Sequence, residues 1–357
     1  MKRFAKPRFA ELAILSTLIF AIAPTAWGAE ATSSSAAGTT IKKSATPAAA
    51  GTSSAVWAKL GLPLDSLKGK SIVAMTYVTW CPICNGWAPQ MLKELKTVSA
   101  DKPVVIVAIA TDVGQAEGKD FLAQKGFGGP NIIYAANSDA NEILGVNAKN
   151  LWNYVRFGPD GDVKDQGAAG AFYGDKKDSV IAKHLSDAKD LGTLDFVNSS
   201  LTPEALNVAW SMELGDVPTM VKVAQSKGLP GLSKDDTQAL HEVMAKFLDG
   251  RLTELKALVG GDMPNRIEAY EKATQFSTVF RATPQGKEAS KTADQLYSDP
   301  KFRREVSAKK LYVLGETKAA GDDKRLAKSM HVVAQKFPDT YYGGLAQQKI
   351  GGAEKKE

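Results

Sequence analysis

The chain has 357 residues, with 45 basic and 39 acidic side chains and a formal net charge of +6. Four of the basic residues and one acidic residue lie within residues 1–28, so the remaining chain carries a net charge of +3. A net charge this small gives no indication of nucleic-acid binding. The sequence therefore does not predict nucleic acid as a partner. The length suits two domains of ordinary size.

The N-terminal residues have the pattern of a secretory signal peptide. Basic residues are followed by an apolar run at 12–23 and by small residues around Ala26-Trp27-Gly28. We expect residues 1–28 to be removed and the protein to be exported to the periplasm or another extracytoplasmic compartment, soluble after cleavage. An uncleaved membrane anchor is the alternative. Residues 29–54, rich in Ala, Ser, Thr and Gly, predict a linker because they cannot bury enough apolar surface to fold.

Alternating strand and helix patterns begin near residue 55. The predicted strands are 72–78, 104–111, 131–135, 152–157 and 163–166, and the predicted helices are 89–98, 118–124, 140–144 and 178–185. The turn-forming tetrad Gly158-Pro159-Asp160-Gly161 joins the last two strands into a hairpin. This alternation predicts an α/β domain, residues 55–195, with a central sheet flanked by helices.

Both cysteines lie in the stretch Thr79-Trp80-Cys81-Pro82-Ile83-Cys84, between a predicted strand and a predicted helix. The backbone N–H groups and the positive dipole end at a helix N-terminus stabilise an anion, so we expect Cys81 to ionise readily. Pro82 suits the first helical position. Two thiols at this spacing can perform dithiol-disulfide exchange, in which Cys81 attacks a substrate disulfide and Cys84 resolves the mixed disulfide.

Two other interpretations of the pair stay open, a purely structural disulfide and metal carriage. A structural zinc ion needs four ligands, and a c-type haem needs a histidine where Asn85 stands. The three histidines, His184, His241 and His331, are distant from the pair in sequence. We therefore predict no metal site and place a redox-active pair ahead of both alternatives.

Trp80, the two cysteines and Pro89, five residues after Cys84, form a motif that resembles the active site of the thioredoxin superfamily. The extra strand and helix predicted at 131–144 and the Gly-Pro-Asp-Gly turn are similar to the TlpA and ResA type of exported thiol-disulfide oxidoreductases. The resemblance implies a redox-active disulfide between Cys81 and Cys84 and no other cofactor. It also implies that the substrates are exported proteins with thiols or disulfides, and that a membrane or periplasmic electron donor serves the pair.

Two positions depart from that family. Met75 stands where thioredoxins have a buried acid, so no side chain there can relay a proton to Cys84. The family's cis-proline position falls on Trp152 or Asn153, and we expect an ordinary trans loop there, because a cis bond before a non-proline residue costs about 2.5 to 4 kcal/mol. By resemblance, the residues expected to contact substrate are Trp80, Pro82, Trp152 and Asn153.

The pattern beyond residue 194 is helical throughout. Helical segments are predicted at 203–214, 219–225, 235–257, 266–280, 287–296, 305–318, 324–337 and 341–350. They predict seven or eight antiparallel helices in an all-α domain, residues 200–350, after a boundary near 190–202. We expect this domain to bind a protein partner or to pair with another subunit.

A short motif recurs in the helical part. Phe280-x-x-Thr283-x-x-Gly286 is repeated as Phe337-x-x-Thr340-x-x-Gly343, with each Thr placed as a helix N-cap. The second copy looks like the helix ends of tetratricopeptide-type repeats. A helical bundle with two similar turns remains the alternative, because stable repeat arrays usually stack at least three units.

From these observations we predict an exported thiol-disulfide oxidoreductase. A reductase is slightly favoured, because Ile83 supplies no charge that would stabilise the thiolate. The alternative is a non-catalytic interaction protein that keeps the scaffold for binding, and Met75 and the missing proline at residues 152–153 favour it. Copper delivery is a third hypothesis, weakened because no histidine lies near the pair.

Overall fold

The computed structural model describes residues 53–62, 67, 69–99, 102–169, 185–186, 188–198, 200–319 and 322–354. The predicted signal peptide, nearly all of the predicted linker and most of the helix predicted at 178–185 lie outside these ranges. His184 also lies outside them.

A mixed five-stranded sheet forms the centre of the first part of the chain. Its strands are β1 (Ser71–Tyr77), β2 (Val104–Ala110), β3 (Ile132–Ala136), β4 (Asn153–Phe157) and β5 (Val163–Ala168). Their spatial order is β3-β2-β1-β4-β5, with β1, β2 and β3 parallel and β4 and β5 antiparallel to their neighbours. Each predicted strand is found within about two residues of its expected limits.

Strands β1 and β2 are buried along their whole length, as expected of apolar runs that have helices on both faces. Successive side chains alternate between the two faces. Val73, Met75 and Tyr77 belong to one core cluster, while Ile72 and Ala74 belong to the other. The sheet therefore separates two apolar layers.

Four helices with described limits accompany the strands: α1 (Ser53–Lys59), α2 (Pro82–Ser99), α3 (Gln115–Gln124) and α4 (Ala140–Ile143). The prediction that the active-site helix begins at residue 89 was wrong, because α2 begins at Pro82 and contains Pro89 within it. Proline is well suited to the first helical position, where its missing N–H has no intrahelical partner. Pro82 does start the helix, as its residue type predicted.

The remainder of the described chain is helical and confirms the predicted combination of an α/β domain with an all-α region. Eight helices are found between residues 200 and 354: α5 (Pro203–Glu213), α6 (Val217–Gln225), α7 (Lys234–Val259), α8 (Met263–Val279), α9 (Pro284–Ser298), α10 (Pro300–Ala319), α11 (Asp323–Lys336) and α12 (Tyr341–Glu354). Each corresponds to one of the predicted segments.

Helix α5 packs against the sheet. Trp210 is 1% exposed and lies in the same core cluster as Ile72 and Ala74 of β1. Glu213 forms an ion pair of 3.0 Å with Lys70, and these side chains are 1% and 9% exposed. The backbone N–H groups of residues 195 and 196 donate to the same carboxylate at 3.0 and 2.9 Å.

The chain divides into two compact units, one ending at Met244 and the other beginning at Ala245. This division lies inside α7, whereas the sequence suggests a boundary near residues 190–202. The domain limits 55–195 and 200–350 therefore stay a prediction.

In the second unit, the recurrent motif forms the same cap twice. The Thr283 hydroxyl donates to the Phe280 carbonyl at 2.8 Å and accepts the N–H of Gly286 at 3.0 Å. Thr340 makes the equivalent bonds to residues 337 and 343 with the same lengths. The predicted N-cap role of both threonines is confirmed.

Candidate functional site

Cys81 lies at the junction between the central strand and the helix that follows it. β1 ends at Tyr77, α2 begins at Pro82, and the Asn85 N–H donates to the Cys81 carbonyl at 3.0 Å in the first helical turn. The side chain of Cys81 is disulfide-bonded, and the residue is 5% exposed. The side chains of residues 83 and 84 lie outside what the structure describes, so the role of Cys84 stays a prediction.

The turn before Cys81 is held by a carboxylate. Both the N–H and the hydroxyl of Thr79 donate to Oδ2 of Asp112, at 2.8 and 2.7 Å. The Asn85 side-chain amide donates to the Thr79 carbonyl at 3.3 Å. These bonds tie the turn to the end of β2 and to the first turn of α2, so they set the orientation in which Cys81 is presented.

The two neighbours of Cys81 are on the surface. Trp80 is 62% exposed, which makes it the most exposed of the large apolar side chains in the described chain, and Pro82 is exposed as well. An exposed ring beside a disulfide offers a flat apolar surface to an incoming polypeptide. Of the four residues predicted to contact substrate, Trp80 and Pro82 are therefore accessible beside Cys81.

Trp152 is buried, at 2% exposed, in the same core cluster as Cys81. Its ring meets Trp87 of α2 edge-to-face at 5.2 Å between centroids and Tyr77 of β1 at 5.5 Å. The position expected to contact substrate is thus filled by a ring that packs between the helix and the sheet. No peptide bond is cis in the described segments, which confirms the expected trans loop.

Asn153 is 1% exposed, and its side chain is bonded internally. Its amide donates to Asn141 Oδ1 at 3.0 Å and to the carbonyls of Asn147 and Asn150 at 3.2 and 2.9 Å. Thr76, its register partner in β1, donates to the same Asn141 oxygen at 2.6 Å. Asn153 therefore holds the loop before β4, and the structure does not bring its side chain to the cysteine.

Met75 is fully buried, and Tyr154 of β4 lies opposite it in the sheet. The Tyr154 hydroxyl donates to Asp165 Oδ2 of β5 at 2.7 Å. Burial raises the pKa of Tyr154 to about 12, while the charge of Arg156 acts in the opposite direction. Tyr154 therefore lies beside Met75, and its hydroxyl is bonded to the carboxylate of Asp165.

Sequence analysis missed this pair. The available signal was the hairpin itself, because its antiparallel register brings residues 154 and 165 to neighbouring positions on one face. Tyr77, two residues after Met75 in β1, also has a raised pKa. The main cause is burial, and the charges of Tyr134 and Asp112 add to it.

The described residues include neither a metal-binding cluster nor a membrane-spanning helix. No group of three or more His, Cys, Asp or Glu side chains there could hold a metal ion. No helix there is both long and apolar enough to span a membrane.

Comparison with known proteins gives structural similarity only. No family model matches the chain, and no curated protein matches it. A secreted Mycobacterium tuberculosis disulfide oxidoreductase homologous to E. coli DsbE is 21% identical over 34% of this chain and 81% of its own, with a TM-score of 0.25. The exposed lipoprotein thioredoxin of Streptococcus pneumoniae is 20% identical over 35% of this chain and 90% of its own, with a TM-score of 0.26.

A third solved structure, a putative protein disulfide isomerase from Bacteroides thetaiotaomicron, is 16% identical over 34% of this chain and 73% of its own, with a TM-score of 0.27. The similarity extends over only about a third of this chain. The strand order, with β1 central and a helix starting directly after Cys81, defines a thioredoxin-like domain followed by a helical region.

Proposed function

We propose that this protein is an exported thiol-disulfide oxidoreductase in which Cys81 is the nucleophile and Cys84 the resolving thiol. The observation that carries the proposal is the position of Cys81, a disulfide-bonded residue directly before the first turn of α2 and next to the exposed Trp80. The sequence contains only two cysteines, so Cys84 is the intramolecular partner that we assign to Cys81.

The reaction consists of two exchanges. The Cys81 thiolate attacks one sulfur of a substrate disulfide, forms a mixed disulfide and releases the other substrate sulfur as a thiolate. The Cys84 thiolate then attacks Cys81, which releases the second substrate thiol and leaves the pair oxidised. An exported or membrane-bound dithiol must return two electrons to the pair before the next cycle.

The electrostatics at the start of α2 favour the first step. This helix has no acidic residue in its first turn, so the positive end of its dipole is not neutralised from within the helix. A thiolate at Cys81 is stabilised there, and the thiolate is the attacking species. The Asp112 carboxylate, which accepts two hydrogen bonds from Thr79, acts in the opposite direction because its negative charge disfavours a nearby thiolate.

A second candidate is a binding scaffold in which the disulfide is structural. Two observations favour it: Met75 is fully buried where a proton acceptor is expected, and the Trp152 ring fills the loop expected to contact substrate. The reduction potential of the pair separates the two functions. A catalytic pair has a potential above about −300 mV, and a structural disulfide has one below that value.

Trapping of substrate tests the chemistry directly. In the Cys84→Ser variant, the mixed disulfide at Cys81 cannot be resolved, so we expect it to accumulate with proteins from an extract of the exported compartment. Cys81→Ser is the matched control, because it keeps one thiol at the same turn but lacks the nucleophile. Equal capture by both variants, or capture by neither, would contradict the assignment of Cys81.

We also propose a role for the helical region. The caps at Thr283 and Thr340 have the same geometry, which supports two related helical hairpins, α8 with α9 and α11 with α12. Such hairpins present extended surfaces in repeat proteins. We propose that this region binds a protein partner, and cross-linking of the full chain in the exported compartment, compared with residues 55–244 alone, tests it.

A further inference from the structure

A cavity of about 590 Å³ lies where the loop after α6 meets the start of α7. It is in the first compact unit and includes neither cysteine. The charged side chains that line it are Lys227 and Lys234, and both are basic. His241, further along α7, lines it as well.

Two buried side-chain atoms at this cavity, Nε2 of His241 and Oγ of Ser226, have no hydrogen-bond partner within the described chain. The side chain of Thr237, which is 7% exposed, lies in the same cavity wall. Thr237 and His241 line the cavity directly, and Ser226 immediately precedes the lining residue Lys227. Buried polar groups are nearly always hydrogen-bonded, so the unpaired atoms of His241 and Ser226 are available to a bound molecule.

The acidic residues of the first turn of α7 are not among the residues that line the cavity. Glu242 accepts a hydrogen bond of 2.7 Å from the side-chain amide of Gln238, which is a lining residue. Asp236 is 7% exposed and does not line the cavity. Its carboxylate accepts the hydroxyls of Thr202 at 2.9 Å and Ser233 at 2.7 Å. Asp235 is exposed and also does not line the cavity. The helix start therefore presents lysines and hydrogen-bond donors to the cavity.

We propose that this cavity binds the oxyanion group of a small molecule, a carboxylate or a phosphate. Lys227 and Lys234 neutralise the charge, and Thr237 and His241 donate hydrogen bonds to its oxygens. The apolar side chains of Leu229 and Leu232 form part of the wall and accommodate the organic part of the ligand. This binding is independent of the proposed disulfide exchange.

Histidine signals in nuclear magnetic resonance spectra provide a selective test. The full chain has three histidines, so His184 and His331 serve as internal references for His241. We expect a saturable shift of the His241 ring signals on titration with inorganic phosphate, with succinate, or with both, and little change at the other two. Sodium chloride at matched ionic strength should leave His241 unchanged.

A pair of lysine variants tests whether the cavity is the site. Lys227→Ala with Lys234→Ala should weaken the apparent affinity at least tenfold, whereas Lys222→Ala with Lys246→Ala, exposed lysines outside the lining, should not change it. All four lysines are exposed, so both double variants should fold, which circular dichroism checks.

The outcomes separate the two sources of the oxyanion. Saturation by phosphate alone assigns a phosphate site, and saturation by succinate alone assigns a carboxylate site. Absence of saturation with both anions, parallel shifts of all three histidines, or equal affinity in the two double variants would overturn the proposal. None of these results bears on the trapping experiment with Cys84→Ser.

Discussion

The hydroxyl of Tyr154 donates a hydrogen bond of 2.7 Å to Asp165, and Tyr154 lies opposite Met75 in the sheet. Resolution of a mixed disulfide requires the Cys84 thiol to lose its proton, and a methionine cannot accept one. The Tyr154 and Asp165 pair brings a carboxylate to the same face of the sheet.

If the Tyr154 and Asp165 pair accepts the proton of Cys84, Asp165→Asn and Tyr154→Phe should each slow the resolution of the mixed disulfide by about tenfold or more. Single-turnover release of a model substrate disulfide near neutral pH measures the step. Raising the pH should recover the rate, since Cys84 then ionises without help. Asp162→Asn, an exposed acid in the same hairpin, is the matched control. An unchanged rate in both relay variants would exclude the relay.

The same tyrosine predicts how stability depends on pH. Burial raises the pKa of Tyr154 to about 12, above its ordinary value of 10.0, so between these values the folded state keeps a proton that the unfolded state loses. Its contribution to stability is fully present below pH 10 and is lost as the pH rises toward 12. Tyr154→Phe should therefore reduce the pH dependence of the unfolding free energy in this window by about one proton.

Urea unfolding between pH 9 and 12 measures this change, and replacement of both cysteines by serine avoids disulfide chemistry in alkali. Tyr297→Phe is the control, because that tyrosine is 41% exposed. If Tyr297→Phe and Tyr154→Phe have the same effect, burial of Tyr154 is not the cause.

The ion pair between Lys70 and Glu213 predicts a large loss of stability. Both side chains are buried, and the Glu213 carboxylate also accepts two backbone N–H groups. Glu213→Gln leaves the Lys70 charge buried without its counter-charge, so we expect a destabilisation of about 3 to 5 kcal/mol. Denaturant unfolding compares it with Glu204→Gln, an exposed acid on the same helix. A change below about 1 kcal/mol would mean that water or backbone groups satisfy Lys70.

The repeated caps predict which glycines of the second unit tolerate a side chain. A Cβ atom at Gly286 or Gly343 would collide with the carbonyl oxygen of Phe280 or Phe337, so Gly→Ala at either site should cost about 1 to 3 kcal/mol. At Gly344 the position that a Cβ would take is open space, and Gly344→Ala should stabilise the helix by about 0.5 to 1 kcal/mol. Thermal unfolding measures the expected loss of stability at the cap glycines and the expected gain at Gly344. Equal changes in stability at residues 343 and 344 would contradict the cap geometry.

The proposed export leads to a prediction about the N-terminus of the mature protein. The basic start, the apolar run and the small residues before residue 29 place signal-peptide cleavage after Gly28. Mass spectrometry of the protein from the exported compartment should show an N-terminus near Ala29. A chain that retains Met1 at the membrane would instead indicate an uncleaved anchor.

The amino-acid sequence alone determined the features that depend on neighbouring residues. The apolar runs predict β1 to β5, the spacing of apolar residues predicts all eight later helices, and Thr283 and Thr340 predict their caps. The position of Cys81 between a strand and a helix follows from the same local patterns. These features are readable because the periodicity of a helix or a strand, and the chemistry of a cap, involve residues a few positions apart.

The tertiary structure decided which distant residues meet. Strand register determines the hydrogen bond of Tyr154 to Asp165 and the position from which Asn153 holds a loop. The return of a helix to the sheet brings Trp152 against Trp87 and Lys70 to Glu213. Residue types do not reveal these partners, because a side chain in a sheet is surrounded by strands that come from distant parts of the chain. For the same reason, the residues that surround Cys81 could be identified only after folding had brought them together.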